Sequence, residues 1–231
     1  MRIGLYADPH YAQREMSGDK RYNRLSLKKI KECYGAFAGA GAELAVCLGD
    51  LVDNEPNHET EVLDLTQVAD IILGSNIPTV CVMGNHDAFS FTAEEYYSIL
   101  RGCEPKDIHA LGLDLLFLDS CFFKSGIRYA PGDRDWRDTF LPHPEALEEA
   151  LKRCTGDVYI FMHQNLDPEV TEVHRLFNAR EVMDILEKSG KVKAVYQGHY
   201  HPGHRTVYNG IEYISLPAMC EKENAYEIID I

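Results

Sequence analysis

Residues 43–54, Glu-Leu-Ala-Val-Cys-Leu-Gly-Asp-Leu-Val-Asp-Asn, constrain the chain more than any other stretch. The unbroken apolar run from Leu44 to Leu48 leaves no face for water, so it reads as a strand buried on both sides, in a sheet covered by other layers. Gly49 ends the run. Asp50 and Asp53 then stand at the strand's carboxyl edge, where sheets of this kind hold their ligands. Taken alone, Gly-Asp is ordinary turn punctuation. Four other strand ends close with the same kinds of residue, and that recurrence makes the edge a candidate site.

The rest of the chain alternates in the same way. A short strand, 2–7, ends in Asp8-Pro9-His10, where Pro9 stops the ladder and its neighbours can converge on one point. The polar loop 11–24 carries Arg14, Lys20, Arg21, Tyr22 and Arg24. It reads as a solvated loop, with the alternative that some of these cations meet an anionic substrate near Asp8. Ser26 opens a helix to about Ala40, and a second helix from about His58 to Leu73 places Val62, Leu65, Val68, Ala69 and Ile72 at helical spacing. Strand 77–83 runs into Gly84-Asn85-His86-Asp87, and Thr92 with Glu95 makes a capping box for a helix to Leu100. Leu111–Asp119 is a strand, or a hairpin with the residues before it.

The long irregular stretch 120–143 sets Phe122, Phe123, Tyr129 and Trp136 beside Lys124, Arg128, Arg134 and Arg137. Loops of that length are usually functional or disordered, and the aromatic content argues against disorder. Helix 144–153 leads to strand 157–162, which ends at Met162-His163-Gln164-Asn165. Asn178 with Glu181 caps a helix to about Ser189, and strand 192–197 ends at Gly198-His199-Tyr200-His201. Three short strands follow (205–208, 211–216, 225–230), with Asn209-Gly210 as a hairpin turn. No repeat, low-complexity tract or linker interrupts this order, so 1–231 reads as one α/β domain.

Composition narrows the partners. The net charge of −14 removes any general attraction to nucleic acid or anionic lipid. No apolar run approaches membrane-span length, and Met1–Tyr6 is too short before its first charge to be a signal h-region. The seven cysteines are odd in number, unclustered and mostly set in apolar runs. Free buried thiols in a reducing cytoplasm are therefore expected, with neither disulfides nor a thiolate metal site.

The strand ends together present Asp8/His10, Asp50/Asp53, Asn85/His86/Asp87, His163 and His199/His201. These O and N donors suit Mn, Fe, Zn, Co or Mg and give no preference for copper. They are too many for one tetrahedral ion and about right for two ions sharing a carboxylate. Such a pair, roughly 3.5–4 Å apart, can lower the pKa of a bridging water and clamp both oxygens of an in-line displacement at phosphorus. The residues alone thus point to a dinuclear metallohydrolase of phosphoryl esters.

The same motifs resemble those of a known family. Asp8-x-His10, Gly49-Asp50-x-x-Asp53, Gly84-Asn85-His86-Asp87, His163 and Gly198-His199-x-His201 are similar, in order and spacing, to the five motifs of the calcineurin-like metallophosphoesterases, over residues 1 to about 202. The resemblance implies that Asp8, His10 and His201 bind a first metal and that Asn85, His163 and His199 bind a second, with Asp50 bridging. It implies that His86 faces the substrate and protonates the leaving oxygen, oriented by Asp53. The implied fold is a four-layer αββα sandwich of two mixed β-sheets flanked by helices. Two features depart from other branches. Asn54 stands where serine/threonine protein phosphatases carry Arg, and His163 sits in Met-His-Gln without the pairing seen in many members. The stretch Gln197–His201, with Leu216–Met219 and Asn224–Tyr226, resembles the small branch that includes manganese-dependent ADP-ribose/CDP-alcohol diphosphatases.

The expected activity is hydrolysis of a small, nucleotide-like phosphodiester or diphosphate with two Mn, Fe or Zn ions as cofactor. A nuclease or phosphomonoesterase of the same family is the alternative, and a non-catalytic metal-binding scaffold is the alternative of another class. The presence of both His86 and Asp53 favours the enzyme. Arg24, Arg128 and Trp136 are the candidates for substrate contact. His58, His109, His143, His174 and His204 fall off the motif strand ends and read as surface or satisfied histidines, with His204 near enough to His201 to support it.

Overall fold

Period-2 alternation in the short strands decides the layers. In β1 (Arg2–Tyr6) and β2 (Leu44–Cys47), the side chains of Ile3, Leu5, Leu44 and Val46 point one way, and those of Tyr6, Ala45 and Cys47 point the other. All are buried, so both faces of this sheet are covered. β1, β2 and β3 (Thr79–Cys81) run parallel, and β10 (Tyr226–Asp230) adds to the free side of β1 antiparallel. The second sheet contains β4 (Ile108–Ala110), β5 (Leu113–Leu118), β6 (Asp157–Met162), β7 (Val192–Gln197), β8 (His204–Tyr208) and β9 (Ile211–Ser215). Its order is β4-β5-β6-β7-β9-β8, with β4 and β8 antiparallel at its edges. The computed structural model describes residues 1–110 and 112–231. Leu111, the expected first residue of the fifth strand, lies outside them.

The two sheets pack face to face through Leu5, Val46 and Leu48 against Leu115, Phe161 and Ile214. On the outer face of the first sheet lie α1 (Ser26–Ala40), α2 (His58–Gly74), α3 (Asn85–Ser90) and α4 (Ala93–Ile99), which bury Ile30, Phe37, Leu65, Val68 and Tyr96. On the outer face of the second lie α5 (Pro144–Arg153) and α6 (Ala179–Ser189), which bury Leu147, Leu151, Val182 and Leu186. The result is the four-layer sandwich of two mixed sheets flanked by helices. No helix among the described residues is long and apolar enough to cross a membrane. All seven cysteines are free and buried.

Several boundaries differ from expectation for local reasons. The strand expected over 77–83 pairs in register only at Thr79–Cys81, because Pro78 has no N–H to add. By contrast Ser26 opens α1 as expected, as its first helical residue, and its hydroxyl donates to the Pro9 carbonyl. Asn178 precedes α6, but its side chain is engaged elsewhere. Its Oδ1 accepts from Leu141 N–H (3.1 Å) and its Nδ2 donates to the Leu141 carbonyl (3.0 Å), tying the long loop to the helix in place of a cap. Asn209 and Gly210 both take positive φ (49° and 84°), as a type I′ turn between β8 and β9 requires.

Between α2 and α4, His58 lies 2.8 Å from Glu95 and 3.2 Å from Glu61. Hydrogen bonds to Glu95 and then Glu61 raise its pKa. A folded-state pKa above the unfolded one stabilises the protein at low pH, and that contribution disappears as pH rises through the folded value. His58→Ala is therefore expected to lower the melting temperature more at pH 6 than at pH 8.5. Because the ring is half exposed, the difference should stay within about 1 kcal/mol. Thermal denaturation at the two pH values measures it.

Candidate metal centre

All the parallel strands deliver their carboxyl ends to one edge of the sandwich, and hydrogen bonds across the two sheets fix how they meet. His163 Nδ1–H, after β6, donates to the Leu48 carbonyl at the end of β2 (2.7 Å). His199 N–H, after β7, donates to both oxygens of Asp8, after β1 (3.1 and 3.0 Å). The turns are too close for side chains at their glycines: a Cβ on Gly84 would fall 2.1 Å from Asp50 Oδ1, and one on Gly198 would fall 2.8 Å from Asp8 Oδ2. Asp8, His10, Asp50 and His199 themselves adopt positive φ, between 44° and 64°.

Two groups of donors result. His10 Nε2 lies 3.1 Å from His201 Nε2, 3.4 Å from Asp50 Oδ2 and 3.8 Å from Asp8 Oδ1. His163 Nε2 lies 3.2 Å from Asn85 Oδ1 and 3.2 Å from Asp50 Oδ2, and the His199 ring centre is 5.1 Å from that of His163. A single Asp50 oxygen is thus close to histidines of both groups, while its other oxygen accepts from His86 N–H (2.8 Å).

The residues fit a pair of ions. His199 Nε2 is buried without a hydrogen-bond partner, and the Nε2 atoms of His10 and His201 point at one another 3.1 Å apart, where one cation can take both. Burial, with Arg21 and His86 nearby, lowers the His10 pKa to about 3, and burial together with His163 holds His199 well below its ordinary value. Both rings are therefore neutral, the form that coordinates metal. Burial opposes ionisation of Asp50, yet His163, His86 and His10 bring its pKa well below the carboxylate range. The outer nitrogens are anchored as ligand histidines usually are: His163 by the Leu48 carbonyl, and His201 by Glu221, whose carboxylate accepts from Nδ1 at 2.6 Å.

His86 stands apart from both groups. Its ring packs edge-on against His10 at 4.5 Å between centroids, and its Nδ1 lies 2.8 Å from Asp53 Oδ1, though poorly aligned for a hydrogen bond. Burial would raise the Asp53 pKa, but the His10 and His86 rings beside it outweigh that and keep the group ionised. Above the donors opens a cavity of about 290 Å³, walled by Arg21 and His86 and by Trp136, His174 and Tyr200.

The sequence model of the calcineurin-like phosphoesterase family matches residues 1–203. The chain belongs to this family. A probable cyclic nucleotide phosphodiesterase of Psychrobacter arcticus is 26% identical over 199 residues, which cover 80% of this chain and 66% of that relative. A second protein of that description, from Fibrobacter succinogenes, is 23% identical, covering 87% of this chain and 73% of its own. Among solved structures, a dimetal phosphatase from Danio rerio superposes with a TM-score of 0.84 at 17% identity, covering 98% of this chain and 91% of that one. The phosphopantetheinyl hydrolase of Mycobacterium tuberculosis gives 0.60 at 11% identity, covering 98% and 95%. At such identities the structural likeness shows a shared fold.

The phosphoesterase thus brings Asp8, His10, Asp50, Asn85, His163, His199 and His201 to one edge, with His86 and Asp53 beside them. The three candidates for substrate contact separate. Trp136 walls the cavity, its ring 5.6 Å from His199 and 5.2 Å from His174. Arg24 does not, since its Nε donates to the Gln13 carbonyl at an exposed position. Arg128 is bound to Asp119 (2.9 Å) and lies over Phe122, outside the cavity wall. The loop cation that reaches the cavity is Arg21. His174 is satisfied by Thr171 (2.8 Å), and it also walls the cavity: a 3-10 turn over Glu172–His174 sets its ring among Trp136, His199 and Tyr200. His204 supports the buried Asp167 (2.8 Å) and not the metal ligands. Cys220, one of the free buried thiols, has its sulfur within 4.8 Å of a ring nitrogen of both His10 and His201, where burial raises its pKa. Neither Glu221 nor His174 carries a sequence signal, because each acts from a loop with no motif of its own.

Proposed function

We propose that the protein is a dinuclear metal-dependent hydrolase of a small, nucleotide-like phosphodiester or diphosphate, built on residues 1–231 as one cytoplasmic metallophosphoesterase domain. The observation that carries this reading is the single Asp50 oxygen set between two histidine groups. Asp8, His10 and His201 would hold one Mn, Fe or Zn ion, Asn85, His163 and His199 the other, and Asp50 would be shared. Two bound ions supply Lewis acidity to the phosphoryl oxygens and activate the attacking water.

The chain's own residues supply the rest. His86 offers a proton to the departing oxygen from the nitrogen opposite Asp53. Asp53 keeps that ring oriented, and Arg21 places positive charge at the mouth. Trp136 and His174 add aromatic rings to the same cavity wall, which suits a base. The description of the two curated relatives as probable cyclic nucleotide phosphodiesterases supports a nucleotide substrate. The −14 charge weighs against a nucleic acid.

Metal analysis of protein purified without chelator, followed by a panel of bis-p-nitrophenyl phosphate, p-nitrophenyl phosphate, cyclic AMP, ADP-ribose, CDP-choline and single-stranded DNA, tests the assignment. Absence of bound metal after Mn is offered would refute it. Trp136→Ala is expected to raise KM for the nucleotide substrate about tenfold, the worth of one stacked base, and to leave bis-p-nitrophenyl phosphate within a factor of about two. Equal losses on both, with a lowered melting temperature, would make Trp136 a packing residue.

A further inference from the structure

The two oxygens of Asp53 face different parts of the molecule. Oδ1 points to His86, with the Asn54 N–H also donating to it (3.0 Å). Oδ2 points to the loop that reads as solvated in the sequence, where it accepts from Arg14 Nη2 (2.7 Å), Ser17 Oγ (2.8 Å) and Asn23 Nδ2 (3.0 Å). Arg14 is itself held from three sides, since its Nη1 donates to the Asn54 carbonyl (3.1 Å) and pairs with Glu55 (2.6 Å). The loop is closed behind these contacts by the backbone pairing of Ser17 with Arg21.

We propose that Arg14 is a positioning residue for the general acid, acting through Asp53. This rests on the reading of His86 as the proton donor. The second torsion of an aspartate is broad and does not fix the carboxylate plane by itself. The contact to His86 is poorly aligned, so it cannot fix that plane either. Three donors on Oδ2 can, and once they hold it, Oδ1 has one direction left, toward the histidine. The guanidinium also offsets the cost of an ionised carboxylate that is only 3% exposed. Arg21 waits as a competitor, with Nη1 at 3.7 Å from Oδ1. Without Arg14, the Asp53 carboxylate is free to turn to Arg21 and release the His86 ring.

The test compares wild type, Arg14→Met, Arg14→Lys, Ser17→Ala and His86→Ala on bis-p-nitrophenyl, bis-p-chlorophenyl and diphenyl phosphate, with metal content measured for each protein. A misplaced general acid penalises the poorer leaving groups. Arg14→Met should therefore raise the ratio of kcat on the p-nitrophenyl ester to kcat on the phenyl ester by about tenfold, part of the 10²–10⁴ that general acid catalysis supplies. Metal content should not change. Arg14→Lys should restore part of the ratio, and Ser17→Ala should shift it less, in the same direction. Equal losses on all three esters, or a wild-type ratio in Arg14→Met beside a raised ratio in His86→Ala, would overturn the proposal and leave the general acid in place. A wild-type ratio in His86→Ala would remove the general acid and the proposal with it. If Arg14→Met does not fold, Ser17→Ala decides, and an unchanged ratio there counts against the proposal.

Discussion

Asp50→Asn should leave a folded protein that retains at most one metal ion and has lost phosphodiesterase activity by about 10³-fold or more, roughly 4 kcal/mol of transition-state stabilisation. The reason is geometric. Asp50 Oδ2 lies 3.4 Å from His10 Nε2 and 3.2 Å from His163 Nε2, so one atom serves both halves of the centre. An amide of the same shape keeps the hydrogen bond from His86 N–H if its oxygen takes the Oδ1 position, but then an NH₂ faces the two histidines and repels a cation. Asn85→Ala makes the useful contrast, because it removes an oxygen near only the His163 group and should weaken one ion. Elemental analysis of the two variants, equilibrated with Mn, distinguishes them. Two ions retained in Asp50→Asn would mean that the centre is not shared.

His86→Ala should behave in the opposite way, keeping both ions and losing rate according to the leaving group. Asn85 and His86 are adjacent but divide their work, since Asn85 Oδ1 turns to His163 whereas the His86 ring turns to Asp53 and the cavity. With an alkyl or nucleoside oxygen departing, the loss should reach the 10²–10⁴ typical of general acid catalysis, and with p-nitrophenolate, which leaves without a proton, it should be far smaller. Steady-state rates on cyclic AMP and bis-p-nitrophenyl phosphate, with metal analysis in parallel, measure the contrast. Loss of metal, or equal loss on both substrates, would make His86 a ligand or a residue that only places the substrate.

The strands were legible because burial on both faces leaves a plain signature. Leu44–Leu48 and the run over 158–162 have no charged interruption, and each is a strand between two covering layers. The proposed ligand positions were legible for the same reason, since they follow such runs directly. The short helix α3 was not, because its first residues are Asn85, His86 and Asp87, and six residues show no period. Its start is set from inside, by Asp87 accepting from Gly84 N–H (3.0 Å), and from outside, by Asp50 accepting from His86 N–H. The charged loop 11–24 was opaque in another way. Its sequence offers several cations without ranking them, and the destination of Arg14 is fixed by Asp53, 39 residues further along the chain. Arg14 goes to that carboxylate, Arg21 to the cavity and Arg24 to a loop carbonyl.

The four proposed ligands with positive φ carry a consequence for how this chain can change. A non-glycine residue wound the left-handed way gives up about 1–2 kcal/mol of backbone energy, less for Asp, Asn and His than for others. In Asp8, His10, Asp50 and His199 that tension is held by backbone bonds such as His10 N–H to the Asp50 carbonyl (2.9 Å) and Cys220 N–H to the Asp8 carbonyl (3.1 Å). Glycine would relax every one of these turns. Asn76, His143, Asn209 and Asn224 share the conformation, but only at Asp8, His10, Asp50 and His199 would relief of the backbone remove a proposed ligand. Selection of this chain for heat resistance alone would be free to trade these four proposed ligands for backbone relief, whereas selection under metal-dependent turnover would preserve the tension.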